Sequence, residues 1–232
     1  LRPEEIDMKH YQVFSTLLLY PEAELVAHLP ELAQALAATP RWLERLRPLF
    51  NHLADSELIE LQQDYVMTFD RTPSHSLHLF EHIHGESRDR GQAMVDLMQE
   101  YTKHGLEMTG NDLPDFVPLF LEFLSQQDGG EAEAARLLSD AVHVLAHIGR
   151  KLAANGSPYA LVFEVLEELS PVAAQALAEP PVRDMDEALE TFGPGADGVE
   201  PLLKTLGAGV QTINFHPKAR PAAGKTVAGK TI

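Results

Sequence analysis

With 232 residues, 44% of them hydrophobic, the chain can build one domain with a sizeable core plus an appendage, and is too short for two full domains. It has no cysteine, which excludes disulfides, thiolate metal sites, ligated iron–sulfur clusters and a cysteine nucleophile. The formal charge of −17 is uneven: residues 1–215 carry 14 Lys/Arg against 35 Asp/Glu, whereas residues 216–232 carry four Lys/Arg and no acid, so the acidic body repels nucleic acid and anionic lipid and attracts basic ligands.

Helical periodicity runs from the start to about residue 178, and no segment shows sustained two-residue alternation between hairpin turns. Helices are expected near 3–19, 22–37, 40–53, 56–69, 86–107, 113–127, 131–154 and 158–169, with a further one over 171–178. Three sets repeat the i, i+3, i+4, i+7 template: Met94, Leu97, Met98 and Tyr101; Val117, Phe120, Leu121 and Leu124; Val162, Val165, Leu166 and Leu169. Thr39-Pro40, Ser157-Pro158 and Ser170-Pro171 read as helix starts, and Asn155-Gly156 as a stop. Leu58, Leu61, Tyr65 and Phe69 share a face that is read first as core. Residues 70–85, with Pro73 and several histidines, read as an ordered loop. The expected fold is therefore all-α, a single-domain bundle of about eight or nine helices over 1–179.

From residue 180 onward six Pro and seven Gly fall among 53 residues, the composition of a largely disordered tail. Its apolar stretch Val210 to Phe215 is a candidate docking segment. No run of about eighteen apolar residues suggests a membrane span, and no basic-then-apolar leader pattern is present, so the expected location is cytoplasmic.

The segment LFEHIHGESRDRGQAMVDL, residues 79–97, holds polar groups that a solvated surface does not explain. On a helical projection Arg90 falls on the same side as Met94, Leu97 and Tyr101, so a cation is aimed at the buried face. Arg88 and Arg90 also occupy the first turn, where the helix dipole disfavours cations. A guanidinium so placed is expected to pair with Glu81, Glu86, Asp89 or Asp70.

The run FEHIHGESRDRGQAM, Phe80 to Met94, resembles the central motif of the NarJ-type chaperones that assemble the molybdenum enzyme of respiratory nitrate reductase. LLLYPEAEL, QDYVMTFDR and LPDFVPLFLEFL extend the resemblance from about Phe14 to about Leu169, whereas the tail matches weakly. Thr68 departs from the pattern, since relatives tend to carry an aliphatic residue there. The resemblance implies a chaperone that is not itself an enzyme. It would bind the N-terminal segment of the immature catalytic subunit, hold it competent for insertion of a molybdenum bis-guanine dinucleotide cofactor, and delay its docking on the membrane anchor. It implies no tightly bound cofactor on the chaperone. The expected groove lies around the 64–70 turn and the 80–92 motif, with Tyr65, Phe69, Asp70, Phe80, Glu81, His82, His84, Glu86, Arg88, Asp89, Arg90 and Gln92 shaping it or contacting the client.

Two other classes stay open on the residues alone. A metal- or phosphate-dependent hydrolase could use the loop histidines His75, His78, His82 and His84 with Asp89. A generic helical peptide-binding adaptor would need no such chemistry. His143 and His147 stand one helical turn apart but project to the polar side, so they are read as surface residues rather than a metal pair. Arg88 and Arg90 could grip a phosphate or serve as internal struts. Serine nucleophile elbows, Walker loops and dinucleotide fingerprints are missing from the sequence.

Overall fold

The computed structural model describes residues 9–85, 87–108, 110, 112–127 and 130–177. The chain divides into units Leu1–Thr191 and Phe192–Ile232. The second unit, the whole expected tail with its 210–215 segment, the start of the first expected helix and Glu86 lie outside the described residues.

Nine α-helices occur among the described residues: α1 Lys9–Leu17, α2 Ala23–Ala35, α3 Pro40–Asp55, α4 Leu58–Tyr65, α5 Glu81–His84, α6 Arg88–Lys103, α7 Val117–Ser125, α8 Gly130–Ala154 and α9 Ala160–Leu169. The only β feature among them is an isolated bridge between His78 and Phe116. The all-α expectation therefore holds. Six helices close a ring, with α1 packed on α2, α2 on α3, α3 on α9, α9 on α8, α8 on α7 and α7 back on α1. Apolar stripes cause this closure, since each helix must bury one face. The longest helix, α8, contributes Leu138, Val142, Leu145, Ile148 and Leu152, all without exposure. Its axis comes close to α9 because Gly149 presents no side chain there. A Cβ at that position would sit 2.6 Å from Cβ of Phe163.

Three local features depart from the sequence reading, the first being that the expected loop over 70–85 contains the one-turn helix α5 and a 3-10 turn at Pro73–His75. The expected helix over 56–69 ends as α-helix at Tyr65 and continues as a π-turn, Val66–Asp70, closed by the Arg71 N–H donating to the Val66 carbonyl at 3.0 Å. The expected helix over 171–178 does not form in its described part. The Ser170 hydroxyl donates to the Val172 carbonyl at 3.0 Å and accepts from the Val172 N–H at 3.2 Å, a local turn that competes with helix continuation. The chain then crosses α8, where the Gln175 N–H donates to His143 Nδ1 at 2.9 Å. His143 is thus half-buried under a strap rather than fully on the surface.

Candidate functional site

The π-turn and the histidine loop form one structure. Widening the last turn of α4 frees carbonyls that the following loop satisfies. The Thr72 hydroxyl donates to the Met67 carbonyl at 2.8 Å, and His75 Nδ1 donates to the Thr68 carbonyl at 3.0 Å. His75 Nε2 accepts from the Asn155 side-chain amide at 2.8 Å, which ties the loop to the end of α8. Both ring nitrogens of this buried histidine are thereby committed, and its tautomer follows from the two partners.

Ser76 organises the next turn. Its hydroxyl donates to Glu81 Oε2 and accepts from the His78 N–H at 3.2 Å, while its carbonyl accepts from His82 Nε2 at 2.8 Å. Residues 77–79 pair with the strand-like approach to α7: the Leu79 N–H donates to the Asp115 carbonyl at 3.0 Å, and the Val117 N–H to the Leu77 carbonyl at 2.8 Å. Helix α5 is a single turn, stopped at Gly85. There φ is 55° and ψ is −135°, a conformation that side-chain-bearing residues rarely adopt.

Asp115 sits at the centre, with no exposed surface. Its Oδ2 accepts the Phe80 N–H at 3.1 Å, and its Oδ1 lies 3.3 Å from His78 Nδ1. The Arg90 guanidinium reaches both Asp115 Oδ2, at 3.7 Å, and Glu81 Oε1, at 3.0 Å. Burial alone would raise the Asp115 pKa, but His78, the Phe80 amide and Arg90 together hold the carboxyl below the usual aspartate range. The pairing expected for Arg90 is therefore present, with its side chain only 16% exposed. The two carboxylates also offset the unfavourable dipole at the start of α6.

Asp115 was missing from the sequence reading. A signal existed: it is the single acid in the apolar run LPDFVPLFL, where an ionised group is costly unless paired.

The other expected site residues scatter. Tyr65 and Phe69 lie in the core, each 5% exposed, and Tyr65 Oη donates to the Leu18 carbonyl at 2.9 Å. They form an aromatic cluster with Tyr159, whose ring lies 6.2 Å from Tyr65 and 5.0 Å from Phe69. His82 is buried, and its ring lies 5.7 Å from that of His147. Phe80 and His84 are half-buried and in ring contact at 5.9 Å. Asp70, Arg88, Asp89 and Gln92 are exposed, and Gln92 donates to Asp96 at 2.9 Å. No group of three or more His, Asp or Glu side chains is arranged to hold a metal among the described residues.

One exposed apolar side chain, Ile83, lies on α5 within the motif, and others lie elsewhere. Ile59 and Met67 are on the outer face of α4 and its π-turn, 69% and 62% exposed, and Val95 and Met98 are about half exposed on α6. A half-open cavity of about 340 Å³ lies between the end of α6, the segment after it and α7, lined among others by Tyr101, Met108, Leu119, Phe123 and the acids Glu107, Asp112 and Glu122. No described helix is long and apolar enough to cross a membrane.

Residues 22–164 match the family described as nitrate reductase delta subunit. The chain is 38% identical over 188 residues to the nitrate reductase molybdenum cofactor assembly chaperone NarJ of Escherichia coli K12, covering 77% of this chain and 79% of that protein. NarW of the same bacterium, named provisionally as a chaperone of that kind, is 38% identical over 70% of this chain and 68% of its own. A crystal structure from Archaeoglobus fulgidus, assigned provisionally to redox enzyme maturation, superposes with a TM-score of 0.52 at 17% identity, over 72% of this chain and 96% of that one, a likeness of fold alone. The family match spans the π-turn, the histidine loop, Arg90 and Asp115 alike, and on it the chain belongs to the nitrate reductase delta subunit family.

Proposed function

We propose that this chain is a dedicated assembly chaperone for the catalytic, molybdenum-containing subunit of respiratory nitrate reductase, working in the cytoplasm. It binds the N-terminal segment of the immature subunit, keeps it competent to receive the molybdenum bis-guanine dinucleotide cofactor, and delays its docking on the membrane anchor. Family membership, together with relatives named for this assembly role, supports the reading.

One structural observation carries it: His75, His78, His82 and Arg90 are committed to internal partners, while Val95 and Met98 on α6 stay exposed beside a carboxylate. Such a surface suits a basic amphipathic helix. Asp96, next in sequence to Val95 on α6, is exposed. Binding of this kind needs no bond making. Preference for the immature conformer raises that conformer's population in proportion to the difference in affinity.

The hydrolase reading loses its footing on the same observation. His75 has both ring nitrogens committed, His78 faces Asp115, and His82 donates to the Ser76 carbonyl. Asp89, the proposed partner, is exposed on α6. The family is one of maturation chaperones, not of catalysts. A generic adaptor would bind any amphipathic helix equally. Calorimetric titration with a synthetic peptide of the reductase's N-terminal segment, set against unrelated helical peptides of equal charge, tests the proposal. Preference for the reductase peptide is expected, and equal affinity for all would overturn it.

A further inference from the structure

The two exposed apolar residues of α6 are not independent of the cavity. Val95, Met98 and Tyr101 are spaced by three, which places them on one inclined ridge of the helix. The ridge starts at exposed Val95 and Met98 and ends at Tyr101, which is 3% exposed and forms part of the cavity wall. Tyr101 is fixed there by its hydroxyl, which donates to the Pro114 carbonyl at 2.7 Å, and by ring contact with Phe123 at 4.5 Å. Leu106, Met108 and Leu119 complete an apolar interior, and each is only partly buried.

The cavity volume lies at the lower end of the range for small-ligand sites, enough for one large side chain rather than a cofactor the size of a dinucleotide. Its charge is one-sided: Glu107, Asp112 and Glu122 line it, and no Lys or Arg does. The neighbouring Lys103 and His104 are both turned to Glu100, at 2.9 and 3.5 Å. An anionic ligand would meet three carboxylates, so a phosphate-bearing group is disfavoured and a cation flanking an apolar side chain is favoured.

We infer that this cavity seats an apolar anchor residue of a basic amphipathic helix that lies along the Val95–Met98 ridge, with Lys or Arg residues one turn from the anchor meeting Glu107, Asp112 and Glu122. The inference rests on the chaperone reading and names where the client's N-terminal segment is held. It shifts the contact away from the 64–70 turn, to the opposite end of α6 from Arg90.

The test uses the full chain and the synthetic N-terminal peptide of the reductase's catalytic subunit. One variant combines Glu107→Gln, Asp112→Asn and Glu122→Gln; a matched control removes the same charge from the α4 face through Glu57→Gln, Glu60→Gln and Asp70→Asn. These replacements conserve size, and equal melting temperatures confirm intact folds. The cavity variant is expected to weaken peptide binding about tenfold, in line with modest gains from each partly exposed pair, and to flatten its salt dependence. The control is expected to stay within about twofold. In protein labelled at methionine methyl groups, saturating peptide should move the Met98 and Met108 signals and leave Met67 in place. Loss of affinity in the control equal to or greater than that in the cavity variant, or movement of Met67 alone, overturns this site while leaving the chaperone reading intact. Failure of the unmodified chain to bind the peptide overturns the chaperone reading itself.

Discussion

Replacing Asp115 by alanine should damage the fold more than any change at the exposed motif residues. The carboxylate is fully buried and serves three donors, the Phe80 N–H, His78 Nδ1 and the Arg90 guanidinium. Deletion strands the Phe80 amide, a loss of about 1–3 kcal/mol, and leaves Arg90 with Glu81 alone. Removing one member of a buried ion pair costs about 3–5 kcal/mol in all, a range that already includes such stranded groups. For a domain of this size that lowers Tm by roughly 10 °C. Asp115→Asn keeps an acceptor for Phe80 but not the charge, so it should lose about half as much. The effect has a pH signature. Because the folded-state carboxyl titrates below its unfolded value, its contribution is fully present above the ordinary aspartate range and disappears as pH falls through the lowered folded value. The stability gap between wild type and Asp115→Ala, measured by urea unfolding at several pH values, should therefore be wide at neutrality and narrow to about half in acid, where the protonated carboxyl still accepts from Phe80. An alanine variant that melts within about 2 °C of wild type at pH 7 would refute the account, given the expected shift.

Two further substitutions test the same frame. Arg90→Ala should destabilise by about 2 kcal/mol, less than a fully buried pair because Glu81 is partly open to solvent, whereas Arg88→Ala, fully at the surface, should leave the urea midpoint unchanged. Gly149→Ala should cost about 1–3 kcal/mol by forcing α8 away from Phe163, and thermal unfolding that matches wild type would show that the helices can separate freely.

Much of this fold follows from periodicity. The 113–127, 131–154 and 158–169 expectations correspond to α7, α8 and α9 because their apolar residues repeat at helical spacing on faces that must be buried. Pro40 does begin α3, and Gly156, at a φ of 72°, does follow the end of α8. Local chemistry misled at Ser170-Pro171, because a serine hydroxyl can cap a helix or close a turn, and only the crossing over His143 decides between them. The π-turn after Tyr65 was illegible for a similar reason: its carbonyl partners come from Thr72 and His75, which a helical projection of the segment does not include. Projection placed Arg90 correctly, and nearby acids in sequence named Glu81 as a partner. Asp115 is remote in sequence, so no count along α6 could reach it. Met98 shows the opposite limit, since it fits the apolar template yet stays 48% exposed.

That last mismatch bears on function. Met98 fits the apolar periodicity of α6 yet no described residue covers it, and Val95 beside it is as open, while the start of the helix is held by Arg90, Glu81 and Asp115. Arg90 and Glu81 of the motif are thus spent on rigidity at one end of α6, and on the proposed reading recognition falls to the rest of the helix. Rigidity of this kind lowers the ordering cost of association, so on the proposed reading modest apolar and ionic contacts would suffice to hold a client that must later be released. The arrangement also separates two effects that a mutation at the motif would otherwise confound. Loss of Arg90 should weaken client binding only as far as it loosens α6, whereas loss of the cavity carboxylates should weaken it in a fold that remains fully intact.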